Sequence, residues 1–152
     1  MLRFADYDIV FQEVPDETTL ALNLSGCPHR CEGCHSAYLQ QDVGEPLTIE
    51  VIDRLLARYS GVTCVGLMGG DGDLQAVEEM AAYIHTLGLH VAWYTGRTTL
   101  PDDWHLEHFD YIKIGPYIQA LGGLKSPNTN QRLYRVKDGN MEDITARFRR
   151  KQ

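Results

Sequence analysis

The apolar positions of this chain fall into short runs that alternate between strand-like and helix-like spacing. Two strands are predicted first, Asp8-Ile9-Val10-Phe11-Gln12-Glu13-Val14 and Thr19-Leu20-Ala21-Leu22-Asn23-Leu24, on either side of Pro15-Asp16-Glu17, a candidate hairpin turn. Thr48 can cap a helix running to Tyr59, in which Ile49, Ile52, Leu55 and Leu56 share one face. Val62 to Met68 reads as a short buried strand that stops at Gly69-Gly70-Asp71-Gly72. Leu74 to Leu87 returns to helical spacing, with Val77, Met80, Ala81 and Ile84 inward. Leu89 to Tyr94 and Phe109 to Ile114 are further strands, ending at Thr95-Gly96-Arg97 and at Gly115-Pro116-Tyr117.

This alternation predicts an α/β domain built on a parallel sheet. About five β/α steps fit, fewer than the eight of a closed barrel, so the expected architecture is an open, partial β/α barrel with an N-terminal strand or hairpin. No internal repeat or low-complexity linker divides the 152 residues, and one domain over 1–152 is expected. In such sheets chemistry gathers at the carboxyl ends of the strands. Gly26-Cys27 to Cys34, Gly69-Gly70-Asp71, Thr95-Gly96-Arg97 and Gly115-Pro116-Tyr117 each follow a predicted strand and are expected to converge on one mouth.

Charge and hydropathy narrow the partners. A net charge of −7 argues against nucleic acid, whose binding is driven by clustered Lys and Arg. No stretch approaches the roughly 20 apolar residues that span a bilayer, and Met1-Leu2-Arg3-Phe4-Ala5-Asp6 lacks the layout of a signal peptide. The expectation is a cytoplasmic protein away from membranes, with protein or small-molecule partners.

Three of the four cysteines lie within eight residues, where a disulfide would close very little loop entropy. Cys27, Cys31 and Cys34 stand in a C-x3-C-x2-C spacing within Ser25-Gly26-Cys27-Pro28-His29-Arg30-Cys31-Glu32-Gly33-Cys34-His35, which reads as metal binding. A 4Fe-4S cluster normally takes one thiolate per iron, so three thiolates leave an iron with an open position. An open iron can chelate the amino nitrogen and carboxylate oxygen of an amino acid, and S-adenosylmethionine carries both beside a reducible sulfonium. Two other readings use the same residues: a zinc site completed by His29 or His35, and a closed electron-transfer cluster with Cys64 as fourth ligand. Cys64 itself sits in an apolar run and reads as a small core residue.

The cysteine spacing on a loop after an early strand resembles the signature of the radical S-adenosylmethionine superfamily. More narrowly, the chain resembles the anaerobic ribonucleoside-triphosphate reductase activating proteins. The shared features are small size, Leu24-Ser25-Gly26-Cys27 entering the cluster, Gly33-Cys34 closing it, and Ser126-Pro127 with Asn130-Gln131-Arg132 near the carboxyl end. In that family the reduced cluster breaks S-adenosylmethionine into methionine and a 5′-deoxyadenosyl radical, which takes a hydrogen atom from a glycine of the partner reductase. The resemblance implies that Cys27, Cys31 and Cys34 are the cluster ligands and that Gly33 and His35 lie beside the cofactor. It implies further that Gly69-Gly70-Asp71 receives the methionine amino group, with Thr95 and Arg97 on a cofactor-contacting loop. The implied partners are the reductase as protein substrate and a small electron donor such as flavodoxin or ferredoxin. The Gly-Pro-Gly segment common upstream in activating proteins is replaced here by Val14-Pro15-Asp16-Glu17.

Several of these residues also have plainer readings. Gly69-Gly70-Asp71 is a tight turn into a helix capped by Asp71 or Asp73, Arg97 an exposed loop arginine, and Lys113 a snorkelling lysine. The basic tail Arg147-Phe148-Arg149-Arg150-Lys151 suits a helix end or an acidic partner. His85, His90, His105 and His108 show no ligand spacing with one another.

Overall fold

The computed structural model describes residues 2–11, 14–25 and 44–149. Its strands are β1 (Arg3–Val10), β2 (Thr19–Leu24), β3 (Glu45–Pro46), β4 (Cys64–Met68), β5 (His90–Tyr94), β6 (Tyr111–Ile114), β7 (Arg132–Lys137) and β8 (Asn140–Asp143). Two α-helices are described, α1 (Ile49–Arg58) and α2 (Leu74–Thr86). The strands form one open sheet in the order β3-β1-β2-β4-β5-β6-β7-β8.

The pairs β2/β4, β4/β5 and β5/β6 are parallel. The parallel set among the described residues is therefore four strands rather than about five. Antiparallel strands flank it, β1 and β3 on one side and β7 and β8 on the other. Because β2, β4, β5 and β6 follow chain order without reversal, right-handed crossovers carry α1 and α2 to the same face. There Ile52 and Leu55 of α1 and Val77, Ala81 and Ile84 of α2 pack into one core with Leu20, Leu22, Leu24, Val65, Leu67, Val91, Trp93 and Ile112.

Side chains alternate across a strand, so the intervening residues line the opposite face. Register aligns them in rows: Asn23, Met68, Tyr94 and Lys113 nearest the carboxyl ends, then Ala21, Gly66, Ala92 and Tyr111. A second, smaller core of Val14, Cys64, Ala92, Tyr111, Leu133 and Ile144 closes the lower part of this face.

Helix boundaries follow the chemistry of the caps. Val51 N–H donates to Thr48 Oγ1 at 3.2 Å, and Ala76 N–H donates to Asp73 Oδ1 at 3.2 Å. Asp73, not Asp71, thus caps α2. Ile49, expected inward, is 45% exposed at the first turn of α1. Thr48→Ala is expected to cost about 1 kcal/mol, read as a lower urea midpoint with an unchanged slope.

Three further departures from the sequence pattern have physical causes. β1 occupies Arg3–Val10 rather than Asp8 to Val14, because Phe11 leaves the sheet at 66% exposure while Val14 turns back, fully buried, into the second core. The β5 to β6 connection holds only a 3₁₀ turn, Leu106–His108, and an aromatic stack covers the sheet where a helix would lie. In that stack the rings of Trp93 and Trp104 are 4.5 Å apart and those of Trp104 and Phe109 5.4 Å. The β7/β8 hairpin was not anticipated; its loop Asp138-Gly139 has φ of 52° and 77°, the two positive values of a type I′ turn. Among the described residues no helix is long and apolar enough to cross a membrane.

Candidate cofactor site

The parallel strands end at a common edge, and the loops that leave it are tied together by hydrogen bonds. After β4 the chain turns at Gly69 and Gly70, with φ of 109° and 87°, where a side chain would be strained. The turn is also crowded: a Cβ on Gly70 would meet Val77 Cγ2 at 2.6 Å, and one on Gly69 would approach Leu24 O at 3.3 Å. Trp93 Nε1 donates to Gly69 O at 2.8 Å and Asp73 N donates to Gly70 O at 3.0 Å, which fixes both carbonyls.

Asp71 reaches across to the loop after β5. Thr95 Oγ1 donates to Asp71 Oδ1 at 2.5 Å and Gly96 N to Asp71 Oδ2 at 3.1 Å. Arg97 N donates back to Thr95 Oγ1 at 3.1 Å, while Arg97 Nε is turned onto Thr99 O at 3.1 Å. The next link is Lys113, whose Nζ donates to Thr95 O at 3.1 Å and Gly115 O at 3.2 Å and lies 5.9 Å from the centre of the Tyr94 ring. Gln131 Nε2 donates to Gly115 O at 3.3 Å, and Asn130 Nδ2 to Pro116 O at 3.0 Å. The structure therefore brings Gly69, Gly70, Asp71, Thr95, the Arg97 backbone, Lys113 and the 130–131 segment into one connected mouth.

Cys27, Cys31, Gly33, Cys34, His35 and the alternative zinc ligand His29 lie outside the described residues. Ser25, the last described residue before them, directly follows β2 at this same edge, its N–H bonded to Arg3 O at 2.9 Å, and the Gly69 turn abuts the Leu24 carbonyl. Three thiolates within residues 27–34 are a donor set suited to an iron-sulfur cluster.

Cys64 is placed elsewhere. It opens β4 and is fully buried at the strand's amino end, about 13 Å of strand from the mouth. A closed four-thiolate cluster therefore has no support here. Burial pushes the Cys64 thiol up to about 12. In native protein at pH 8 it is expected to resist iodoacetamide and to react only after denaturation, checked by peptide mass mapping.

The amino end of the sheet is closed by a polar cluster that sequence reasoning missed. Glu17, 8% exposed, receives Thr63 Oγ1 at 2.6 Å and Tyr111 OH at 3.0 Å, and pairs with His90 Nδ1 at 2.6 Å. Burial, then the bond to Glu17, push the Tyr111 phenol well above its ordinary range. Beside this cluster Arg147, from the basic tail, pairs with Asp16. This cluster is where the hairpin turn is pinned under the sheet.

An open mixed α/β sheet with a glycine turn and a lysine at one carboxyl edge is the build of a cofactor-binding domain. The family model of the radical SAM superfamily matches residues 24–150, and the chain belongs to that superfamily. Neither a curated protein nor a solved structure matches it. Membership implies radical chemistry by cleavage of S-adenosylmethionine, and the superfamily typically uses a 4Fe-4S cluster for it.

Proposed function

We propose that this protein is an activase that generates a glycyl radical on an anaerobic ribonucleoside-triphosphate reductase. What supports the reading is the Gly69-Gly70 turn lying against Leu24 at the end of β2, the strand after which the three cysteines follow in sequence, on a sheet that does not close among the described residues. The four parallel strands and two helices are read as an open part of a β/α barrel, one domain over the whole chain, whose unclosed side admits a segment of a protein substrate. The narrower likeness of Leu24-Ser25-Gly26-Cys27, Gly33-Cys34, Ser126-Pro127 and Asn130-Gln131-Arg132 to the activating proteins favours the reductase as that substrate.

When bound, the cluster and S-adenosylmethionine supply an electron and a 5′-deoxyadenosyl radical. Cys27, Cys31 and Cys34 would hold three irons and leave one for the methionine end of the cofactor. Gly33 and His35 would flank it, and the Gly69-Gly70 backbone, Asp71, Thr95 and Arg97 would shape the methionine site. Lys113 adds a positive charge at the same edge, between the Thr95 and Gly115 carbonyls. A small reductant such as flavodoxin or ferredoxin would deliver the electron in the cytoplasm.

The test is electron paramagnetic resonance of the reduced, reconstituted protein with S-adenosylmethionine, with and without a candidate reductase. A glycyl doublet on the partner is expected. Formation of 5′-deoxyadenosine with no partner radical would remove the reductase as substrate and point to another glycyl-radical protein or a different target.

A further inference from the structure

We propose that Asp71 is a positioning residue, a latch that holds the loop after β5 against the glycine turn after β4 and so sets the shape of the methionine site. This deepens the cofactor-site reading and does not depend on the identity of the protein substrate. Both carboxylate oxygens are engaged by the neighbouring loop, Oδ1 by Thr95 Oγ1 and Oδ2 by Gly96 N. Charge-assisted bonds of this kind are stronger than neutral ones.

Thr95 makes the latch directional. It is 1% exposed, so its hydroxyl needs partners within the protein. A hydroxyl carries one proton, which Thr95 gives to Asp71, and its lone pair accepts Arg97 N. The Thr95 carbonyl holds Lys113 Nζ in turn. One carboxylate thereby fixes the amide of Gly96, the amide of Arg97 and, through Thr95, the lysine at the mouth. On the other side Trp93 and Asp73 fix the carbonyls of Gly69 and Gly70. The latch joins two loops that are each already tied to the sheet, so its loss should open the mouth without unfolding the domain.

A double-mutant cycle on the full, anaerobically reconstituted chain tests this, with S-adenosylmethionine as the titrated ligand. Asp71→Asn and Thr95→Val are each expected to weaken binding about tenfold, and the double variant no more than the weaker single one, because both remove the same latch. Thr95→Ser keeps the hydroxyl and should bind within about threefold of the wild type. Amide hydrogen exchange at Gly96 and Arg97 should quicken in Asp71→Asn and in Thr95→Val, with iron content unchanged. Additive losses, about a hundredfold in the double variant, would overturn the proposal and make Asp71 a direct cofactor ligand. Unchanged exchange at Gly96 in Asp71→Asn would also overturn it. A wild type that fails to bind S-adenosylmethionine would instead contradict the cofactor-site reading, and the exchange data would still decide whether the latch exists.

Discussion

Replacing Cys27, Cys31 or Cys34 by Ala, one at a time, should abolish S-adenosylmethionine cleavage to the detection limit. Each thiolate is expected to hold one iron, so losing one leaves two irons open and weakens the hold on the whole cluster. The measurement is 5′-deoxyadenosine by chromatography, together with iron bound per chain. Cys64→Ala is the matched control. Its thiol is buried at the far end of β4, so the variant should lose some stability and keep cleavage. Full activity in any of the three loop variants would refute the ligand assignment, and loss of the cluster in Cys64→Ala would revive the four-thiolate reading.

The second large effect is expected at Trp93. This fully buried side chain stacks on Trp104, tilts against Phe109 at 5.9 Å, and ends in the N–H bonded to Gly69 O. It therefore does two jobs: it fills the gap left by a missing helix and it fixes a carbonyl at the mouth. Trp93→Ala should cost about 3–5 kcal/mol, the range for deleting a large core aromatic. Trp93→Phe keeps most of the ring and removes the donor, and should cost about 1–3 kcal/mol for the stranded carbonyl. It should also weaken S-adenosylmethionine binding while iron content holds. Urea unfolding separates the two variants, and a Trp93→Phe protein equal to wild type in both stability and binding would show that the Gly69 bond contributes nothing.

How far the sequence revealed this molecule depends on whether a feature is local. β2 was legible to the residue, since an apolar run between turn residues has few alternatives. α1 was legible through its spacing and the Thr48 cap, and α2 through its spacing, with Asp71 and Asp73 both open as caps until the structure assigned Asp73. Phe11 misled because an apolar residue in an apolar run can still be exposed. The β7/β8 hairpin was missed because Arg132, Arg135 and Lys137 mask its alternation, although Asp138-Gly139 was a usable signal.

The same division holds at the site. That Gly69-Gly70-Asp71 and Thr95 meet at one edge was legible from their place after strands, but the bond between Asp71 and Thr95 joins residues 24 positions apart. Lys113 was noticed and left without a role; its two carbonyl acceptors come from adjacent strand ends and are set by sheet pairing. Glu17 had no signal at all. Its partners stand 46, 73 and 94 positions away, and nothing in a turn acid foretells that the turn will fold beneath the sheet.

Under the proposed function, three thiolates of this chain hold an iron-sulfur cluster whose open iron takes S-adenosylmethionine. The most direct measurement is anaerobic reconstitution followed by metal and sulfide analysis and a single reduction in the presence of S-adenosylmethionine. About four irons and four sulfides per chain are expected, with 5′-deoxyadenosine and methionine as products. A colourless protein carrying zinc on the same thiolates, with no sulfide and no 5′-deoxyadenosine, would contradict it.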